Sequence, residues 1–317
     1  MTGDFCGWRP DCLKIGKTND ISIRFVVPKE LEKSEFKLTR GTWESEACHL
    51  NGEPLSNLRF RYSGVLKVLN IPAWCDSPTS DGKRLNFNYY FESLETSRRV
   101  DIYIPTNLDI NSPESSFILF LDGQNIFDKE RAAFGIEWRA DEIAEQLGLE
   151  DRILVSIDNG GRNRTEEYHY FKKGKQLAKE LSEKFIPSIC SKYFMKSSCK
   201  GNSIVGSSLG AIFAFTTAYE YSDTFSKSYS LSFPAFAYDD YVFKFIKEVR
   251  KTPLSESMFY FDYGGLGQDQ TYGPHMQRFL GLEKVSKLRT FLRVYPFHGH
   301  NELNWSQRLA EILFIFN

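Results

Sequence analysis

Ten residues, Asn202–Ala211 (NSIVGSSLGA), restrict the folds open to this chain more than any other stretch. Ser203, Ile204 and Val205 read as the end of a short buried strand, and Leu209 to Glu220 (LGAIFAFTTAYE) as a helix. Between them Gly206-Ser207-Ser208-Leu209-Gly210 fits G-x-S-x-G. A chain passing from strand to helix through so tight a turn has no room for side chains at the two glycines. The turn lifts the Ser208 hydroxyl to the top of a sheet. It also aims backbone N–H groups at the helix start toward the same spot. Taken alone, the pentapeptide is equally an ordinary Gly/Ser turn before a buried helix.

The chain after Ser97 supplies the sheet that such a turn needs. Val100–Ile104, Phe117–Leu121, Ile153–Ile157, Ser228–Leu231, Met258–Tyr263 and Thr290–Tyr295 are short apolar runs suited to strands. Ala140, Ile143, Ala144 and Leu147 fall at i, i+3, i+4 and i+7 before Gly148, an amphipathic helix with its stop signal. Leu177, Leu181 and Phe185 mark another helix, which Pro187 kinks or ends. Tyr241–Val249 predicts a further helix, and Trp305, Leu309, Ile312 and Phe316 share one face of a C-terminal one. Alternating strands and helices call for right-handed βαβ units and a mostly parallel sheet. The expected fold over 97–317 is therefore α/β with a mostly parallel sheet, and with the turn at Ser208 it is of the α/β-hydrolase kind.

Residues 1–96 differ. Ile21–Val27, Leu58–Val68 and Leu85–Glu92 are rich in β-branched and aromatic residues, separated by the turn clusters Asn51–Pro54 and Asp76–Lys83, with no helical period. They predict a small all-β, sandwich-like N-terminal module. Trp43 and Trp74 are core or edge aromatics, or a ligand platform.

A length of 317 residues accommodates one large domain and one small one. A net charge of −1 without a basic run argues against nucleic acid and acidic membrane surfaces as partners. No apolar run approaches the roughly 18 residues of a membrane span, and the first 20 residues lack the apolar core of a signal peptide. The expected location is the cytoplasm. Six cysteines match no zinc spacing. Reduced thiols are the expectation, with Cys6–Cys12 or Cys190–Cys199 disulfides as the alternative.

Ligands of such sheets collect at the carboxyl ends of the strands. The polar residues there are Asp122–Asn125, Asp158–Arg164, Ser208, Gly264–Gln270 and His298–Glu302. Serine, acid and histidine thus follow in the chain order of α/β-hydrolases. Ser208 needs a base, since a serine hydroxyl is un-ionised at neutral pH. His300, after the last strand, is the candidate. Asp269, in a glycine-rich loop, is the candidate acid to orient the imidazole, and Asp262 is its rival, with strand-end hydrogen bonding as its plainer role. Two backbone N–H groups, of Leu209 and Gln124, would hold an oxyanion, Gly123 permitting close approach. His298 lines the pocket or caps a loop. His49, His169 and His275 have weaker claims, and no histidine grouping has metal-ligand spacing.

At this level of detail the chain resembles the putative esterase family of α/β-hydrolases. That family includes enterochelin esterases, esterase D (S-formylglutathione hydrolase), feruloyl esterase domains and the antigen 85 mycolyltransferases. Asp122-Gly123-Gln124-Asn125-Ile126-Phe127-Asp128 looks like its "DGQNLFD" segment. Trp138 with Asp141, Ile157–Gly160 with Arg164 and Glu167, Val205–Gly210, and His300-Asn301-Glu302 with Trp305 follow in order. The resemblance spans roughly Arg99 to Asn317. It implies Ser208 as nucleophile and His300 as base, while the segment that usually carries the acid is altered here to Gly264–Gln270. It also implies an Arg164–Glu167 ion pair flanking the pocket, to which Arg162, Arg164 and Trp138 contribute, and a Trp305 packed on the histidine loop. The pocket is expected from loops 124–140, 158–174 and 232–242 together with the N-terminal module. The implied activity is cofactor-free hydrolysis of a small-molecule or carbohydrate ester through an acyl-enzyme. Acyl transfer to another alcohol and a catalytically silent carbohydrate- or siderophore-binding protein are the alternatives.

Overall fold

A computed structural model of the chain describes residues 1–15, 28–48, 54–59, 71, 73–75, 82–106, 108, 116–149, 152–194 and 201–316. These fall into two compact units, Met1–Ser80 and Asp81–Asn317.

In the first unit, Thr2–Gly3, Glu35–Lys37 and Leu58–Arg59 form a three-stranded antiparallel sheet, and Ala47–Cys48 pairs antiparallel with Ala73–Trp74. Its small apolar cluster centres on Met1 and Phe36. Cys6 and Cys12 are joined by a disulfide, and Cys190 in the second unit is also disulfide-bonded, contrary to the reduced thiols expected. Trp43 is partly exposed, and the Arg40 guanidinium lies 5.4 Å over the Trp74 ring. The expected strand Ile21–Val27, most of Leu58–Val68, and His49 and Cys199 lie outside the described residues.

The second unit is built on one eight-stranded sheet. Its strands are β1 (Lys83–Phe91), β2 (Thr96–Ile104), β3 (Ser116–Leu121), β4 (Arg152–Ile157), β5 (Asn202–Ser207), β6 (Phe225–Leu231), β7 (Met258–Gly264) and β8 (Arg289–Tyr295), in spatial order β8-β7-β6-β5-β3-β4-β2-β1. From β4 through β8 every pairing is parallel; β2 pairs antiparallel with β4, and β1 with β2. The strand expected at Leu85–Glu92 is therefore part of this sheet and not of the N-terminal module. The division expected at 96/97 would fall inside the β1–β2 hairpin. Alternating polar and apolar residues in Leu85–Glu92 mark a half-covered edge strand, and that pattern does not say which sheet it joins.

Every residue of β3 and β5 is buried, as strands covered on both faces require. Helix α1 (Ala140–Leu147) ends at Gly148, whose left-handed φ of 63° lets its N–H reach the Ala144 carbonyl. Pro187 does not end its helix. Lys175–Glu180 runs on through a π-turn at Leu181–Phe185 into Ile186–Phe194. The wide turn contains residue 183, whose carbonyl a proline at 187 cannot bond. Helix α2 (Leu209–Glu220) is buried from Leu209 to Tyr219, and the C-terminal helix α3 (Glu302–Phe316) buries Trp305, Leu309 and Ile312. Among the described residues no helix is long and apolar enough to cross a membrane.

Candidate active site

The centre of the sheet delivers Ser208. Strand β5 ends in the tight turn, where a Cβ on Gly206 would lie 2.3 Å from the Gly210 carbonyl oxygen, so only glycine fits. Ser208 itself takes φ 55°, ψ −124°, a conformation that L-residues seldom adopt outside strained functional turns. Its own N–H donates to the Leu231 carbonyl at 2.9 Å, tying the turn to β6. Leu209 is the first residue of α2, so its N–H has no acceptor within the helix. The positive end of the helix dipole therefore adjoins the Ser208 side chain.

His300 is brought to Ser208 by the loop after β8. Its Nε2 lies 3.0 Å from Ser208 Oγ and its Nδ1 2.7 Å from Asp269 Oδ1. Trp305, one turn into α3, packs edge-on against the imidazole at 4.9 Å between centroids, and the Tyr272 hydroxyl approaches Nδ1 at 3.4 Å. Asp269 sits in a 3₁₀ turn, Gly267–Thr271, beyond β7, and is fully buried. Its Oδ2 accepts hydrogen bonds from the Ser232 hydroxyl at 2.5 Å and from the Gly264 N–H at 2.8 Å. Burial pushes its carboxyl up, but the bonds from His300, Ser232 and Gly264 outweigh burial and hold it below the usual carboxylate range.

Asp262 does not face His300. It is buried under α3, where Arg308 Nη1 donates to its Oδ1 at 2.8 Å and the Ser232 N–H donates at 2.7 Å. Burial raises its carboxyl above the ordinary value, opposed by Arg308. Arg308 is itself fully buried. It donates to Ser232 Oγ at 2.9 Å and to the Gly299 carbonyl at 3.1 Å, and lies 3.5 Å from Asp269. Trp305 Nε1 also donates to Ser232 Oγ, at 2.9 Å. One arginine thus joins the Asp262 strand end, the histidine loop and the back of Asp269.

The turn after β3 forms a third wall. Asp122 is left-handed at φ 57° and opens the 3₁₀ turn Gly123–Asn125, which holds Gln124. A Cβ on Gly123 would stand 2.6 Å from the Ile157 backbone, so glycine lets this turn press against the end of β4. Asp122 takes a two-pronged bond from Arg164, Nε to Oδ1 at 2.6 Å and Nη2 to Oδ2 at 2.8 Å, plus one from Asn159 Nδ2 at 2.6 Å. Arg164 Nη2 also reaches the Ser207 carbonyl at 3.3 Å, bracing the turn against the elbow. Burial works against the guanidinium's charge, yet Asp122 holds it above the usual arginine range. The expected Arg164–Glu167 pair is not formed. Glu167 bonds Arg98 instead, and Arg164 bonds Asp122.

The remaining pocket candidates divide. Trp138 is buried, its ring 6.3 Å from that of Trp305. His298 accepts a bond from Arg308 Nε at 3.3 Å and stacks on Tyr295, which places it in the α3 network. Arg162 is exposed, on the turn before Arg164. The sequence did not single out Ser232 or Arg308, and it named Glu302 only as part of the His300-Asn301-Glu302 match. Ser232 had a signal, being the first polar residue past β6. Arg308 had another, a cation within the otherwise apolar stripe Trp305, Leu309, Ile312. Half-buried Glu302, at the start of α3, feels the charges of Asp122, His300 and Arg164, and burial raises its carboxyl. Among the described residues no group of three or more His, Cys, Asp or Glu side chains could hold a metal ion.

A serine hydroxyl at the top of a parallel sheet, on a strained turn at a helix start and bonded through an imidazole to a buried carboxylate, defines the α/β-hydrolase class. Residues 92–313 match the family model described as putative esterase, and the chain belongs to that family. No curated protein matches it significantly. Among solved structures it is similar to an IroE-like serine hydrolase from Shewanella oneidensis, at 19% identity over 72% of this chain and 78% of that one, with a TM-score of 0.54. It is also similar to an S-formylglutathione hydrolase from Agrobacterium tumefaciens (16%, 75% and 95%, TM-score 0.54) and to the feruloyl esterase module of Clostridium thermocellum (16%, 75% and 90%, TM-score 0.55). At these identities the likeness is one of fold.

Proposed function

We propose that this esterase-family protein hydrolyses carboxylic esters through an acyl-enzyme on Ser208. His300 Nε2 takes the hydroxyl proton as Ser208 Oγ attacks the ester carbonyl. Asp269 holds the imidazole in place and offsets the charge it gains. The N–H groups of Leu209 and Gln124 receive the oxyanion. His300 then returns the proton to the departing alcohol, and a water deprotonated by the same nitrogen releases the acid. The observation that carries this reading is the unbroken pair of contacts, 3.0 Å and 2.7 Å, from Ser208 through His300 to Asp269. The altered segment Gly264–Gln270 carries this very aspartate, which supports the enzyme over a silent binding protein.

Small-molecule or carbohydrate esters are the proposed substrates. The disulfides favour an oxidising compartment over the cytoplasm. The test is p-nitrophenyl acetate turnover by the native chain and Ser208→Ala, with fluorophosphonate labelling mapped by mass spectrometry. Turnover lost in the variant and label on Ser208 are expected. Undiminished turnover by Ser208→Ala, or label on another residue, rejects the assignment.

A further inference from the structure

The eight-stranded sheet ends, beyond β7, at β8. Among the described residues β8 pairs only with β7, in seven-residue register without a shift. An open edge is ordinarily blunted by charged side chains, a proline or a bulge. Arg289–Tyr295 (RTFLRVY) has no proline or bulge, its two arginines share the face on which Arg293 pairs with Glu311, and on the other face it exposes Leu292 to 38% and Val294 to 46%, with Phe297 just beyond at 85%. Within a strand, successive residues send their N–H and C=O to alternate sides. The Tyr295 carbonyl accepts from Gly265 N–H on the β7 side. Residues 289, 291, 293 and 295 therefore face inward along the sheet, and the backbone groups of Thr290, Leu292 and Val294 face out.

We propose that β8 is the interface of a homodimer, pairing antiparallel with β8 of a second copy about a two-fold axis through Leu292. That register puts Leu292 opposite Leu292 and Thr290 opposite Val294, so the three outward-facing residues become mutually bonded pairs. On the Thr290 face the contacts are then apolar and β-branched. On the other face Arg289 meets Tyr295 and Phe291 meets Arg293, each a cation beside an aromatic ring. No two like charges stand directly opposite, and Arg293 already has Glu311 of α3 as its counter-ion. A slip of one residue would point each copy's bonding groups away from the other. A two-residue slip, with Arg293 opposite Arg293 or Arg289 opposite one of its own kind in the extreme, brings like charges together. The second copy is thus the occupant that the strand's own sequence complements, and sixteen strands would form one continuous sheet.

The test uses the full chain in analytical ultracentrifugation over a micromolar concentration series, together with Leu292→Lys/Val294→Lys. Both positions are half-exposed, so the fold should persist, which circular dichroism and ester turnover check. The native chain should sediment as a dimer. The double variant, with lysine facing lysine on the axis, should sediment as a monomer with turnover retained. For register, Leu292→Cys should yield a reducible covalent dimer, because residues of a bonded pair have Cα atoms about 5.5 Å apart, within disulfide range. Thr290→Cys alone should not. A native chain that stays monomeric throughout the series, a dimer that survives the double lysine variant, or equal cross-linking at 290 and 292 would overturn the proposal. None of these outcomes depends on the identity of the nucleophile.

Discussion

Asparagine in place of Asp269, and separately in place of Asp262, should have opposite consequences, although the two residues lie seven apart and are both buried. At Asp269 the Oδ2 side receives an O–H from Ser232 and an N–H from Gly264, so the new amide must keep its oxygen there. Its NH₂ then turns to His300 Nδ1 and donates. The imidazole is left to carry its proton on Nε2, facing Ser208, where it can no longer accept one. The expected loss in kcat/KM is about 10³–10⁴, or ~4–5.5 kcal/mol of barrier. Stability should change far less, since the amide keeps the Oδ2 contacts. At Asp262 the buried Arg308 would lose its nearer charge partner and keep only Asp269 at 3.5 Å, at a cost near the low end for a broken buried pair, about 3 kcal/mol. For a unit of this size that lowers Tm by roughly 6–12 °C. Turnover measured well below Tm should stay within about tenfold of native, because His300 keeps Asp269. Steady-state p-nitrophenyl acetate kinetics and differential scanning fluorimetry on both variants decide the matter. An Asp269→Asn enzyme within tenfold of native, or an Asp262→Asn enzyme inactive at unchanged Tm, would refute the assignment.

Three further outcomes are expected. Ser208→Gly should melt above Ser208→Ala by the equivalent of about 1–2 kcal/mol, because glycine relaxes the φ of 55° while both lack the hydroxyl; equal melting temperatures would count against strain at the turn. Glu302 has its carboxyl raised in the fold, so it contributes stability only below its unfolded value near pH 4.3 and loses that contribution as pH rises through the folded value. Glu302→Gln should accordingly melt higher than native at pH 8 and equal to it at pH 4, read by thermal scans across that range. Arg164→Met should leave Asp122 uncompensated and lower both Tm and kcat/KM, by about 3 kcal/mol and tenfold or more, whereas Glu167→Gln should alter stability alone.

Much of the site could be read from residue order because strand ends of a parallel sheet converge on one edge. Ser208, Asp269 and His300 lie after three different strands, and the sheet brings them together. The choice between Asp262 and Asp269 needed coordinates, since it depends on which way a strand end and a 3₁₀ turn point their carboxylates. Arg164 was misassigned to Glu167 because a resemblance shows which residues recur together and not which way a long guanidinium turns, and here it bonds across to another loop. The fate of Leu85–Phe91 was illegible for a similar reason. Alternation reveals a half-covered strand and not its sheet.

Ser232 carries a consequence for where hydrogens sit. Its oxygen has two lone pairs, and both are engaged by groups that can only donate, the Trp305 indole and the Arg308 guanidinium. Its single hydrogen is therefore left for Asp269, and that carboxylate in turn can only receive. Two side chains on the C-terminal helix, neither of them touching Ser208, thereby fix the polarity of the whole relay out to the serine.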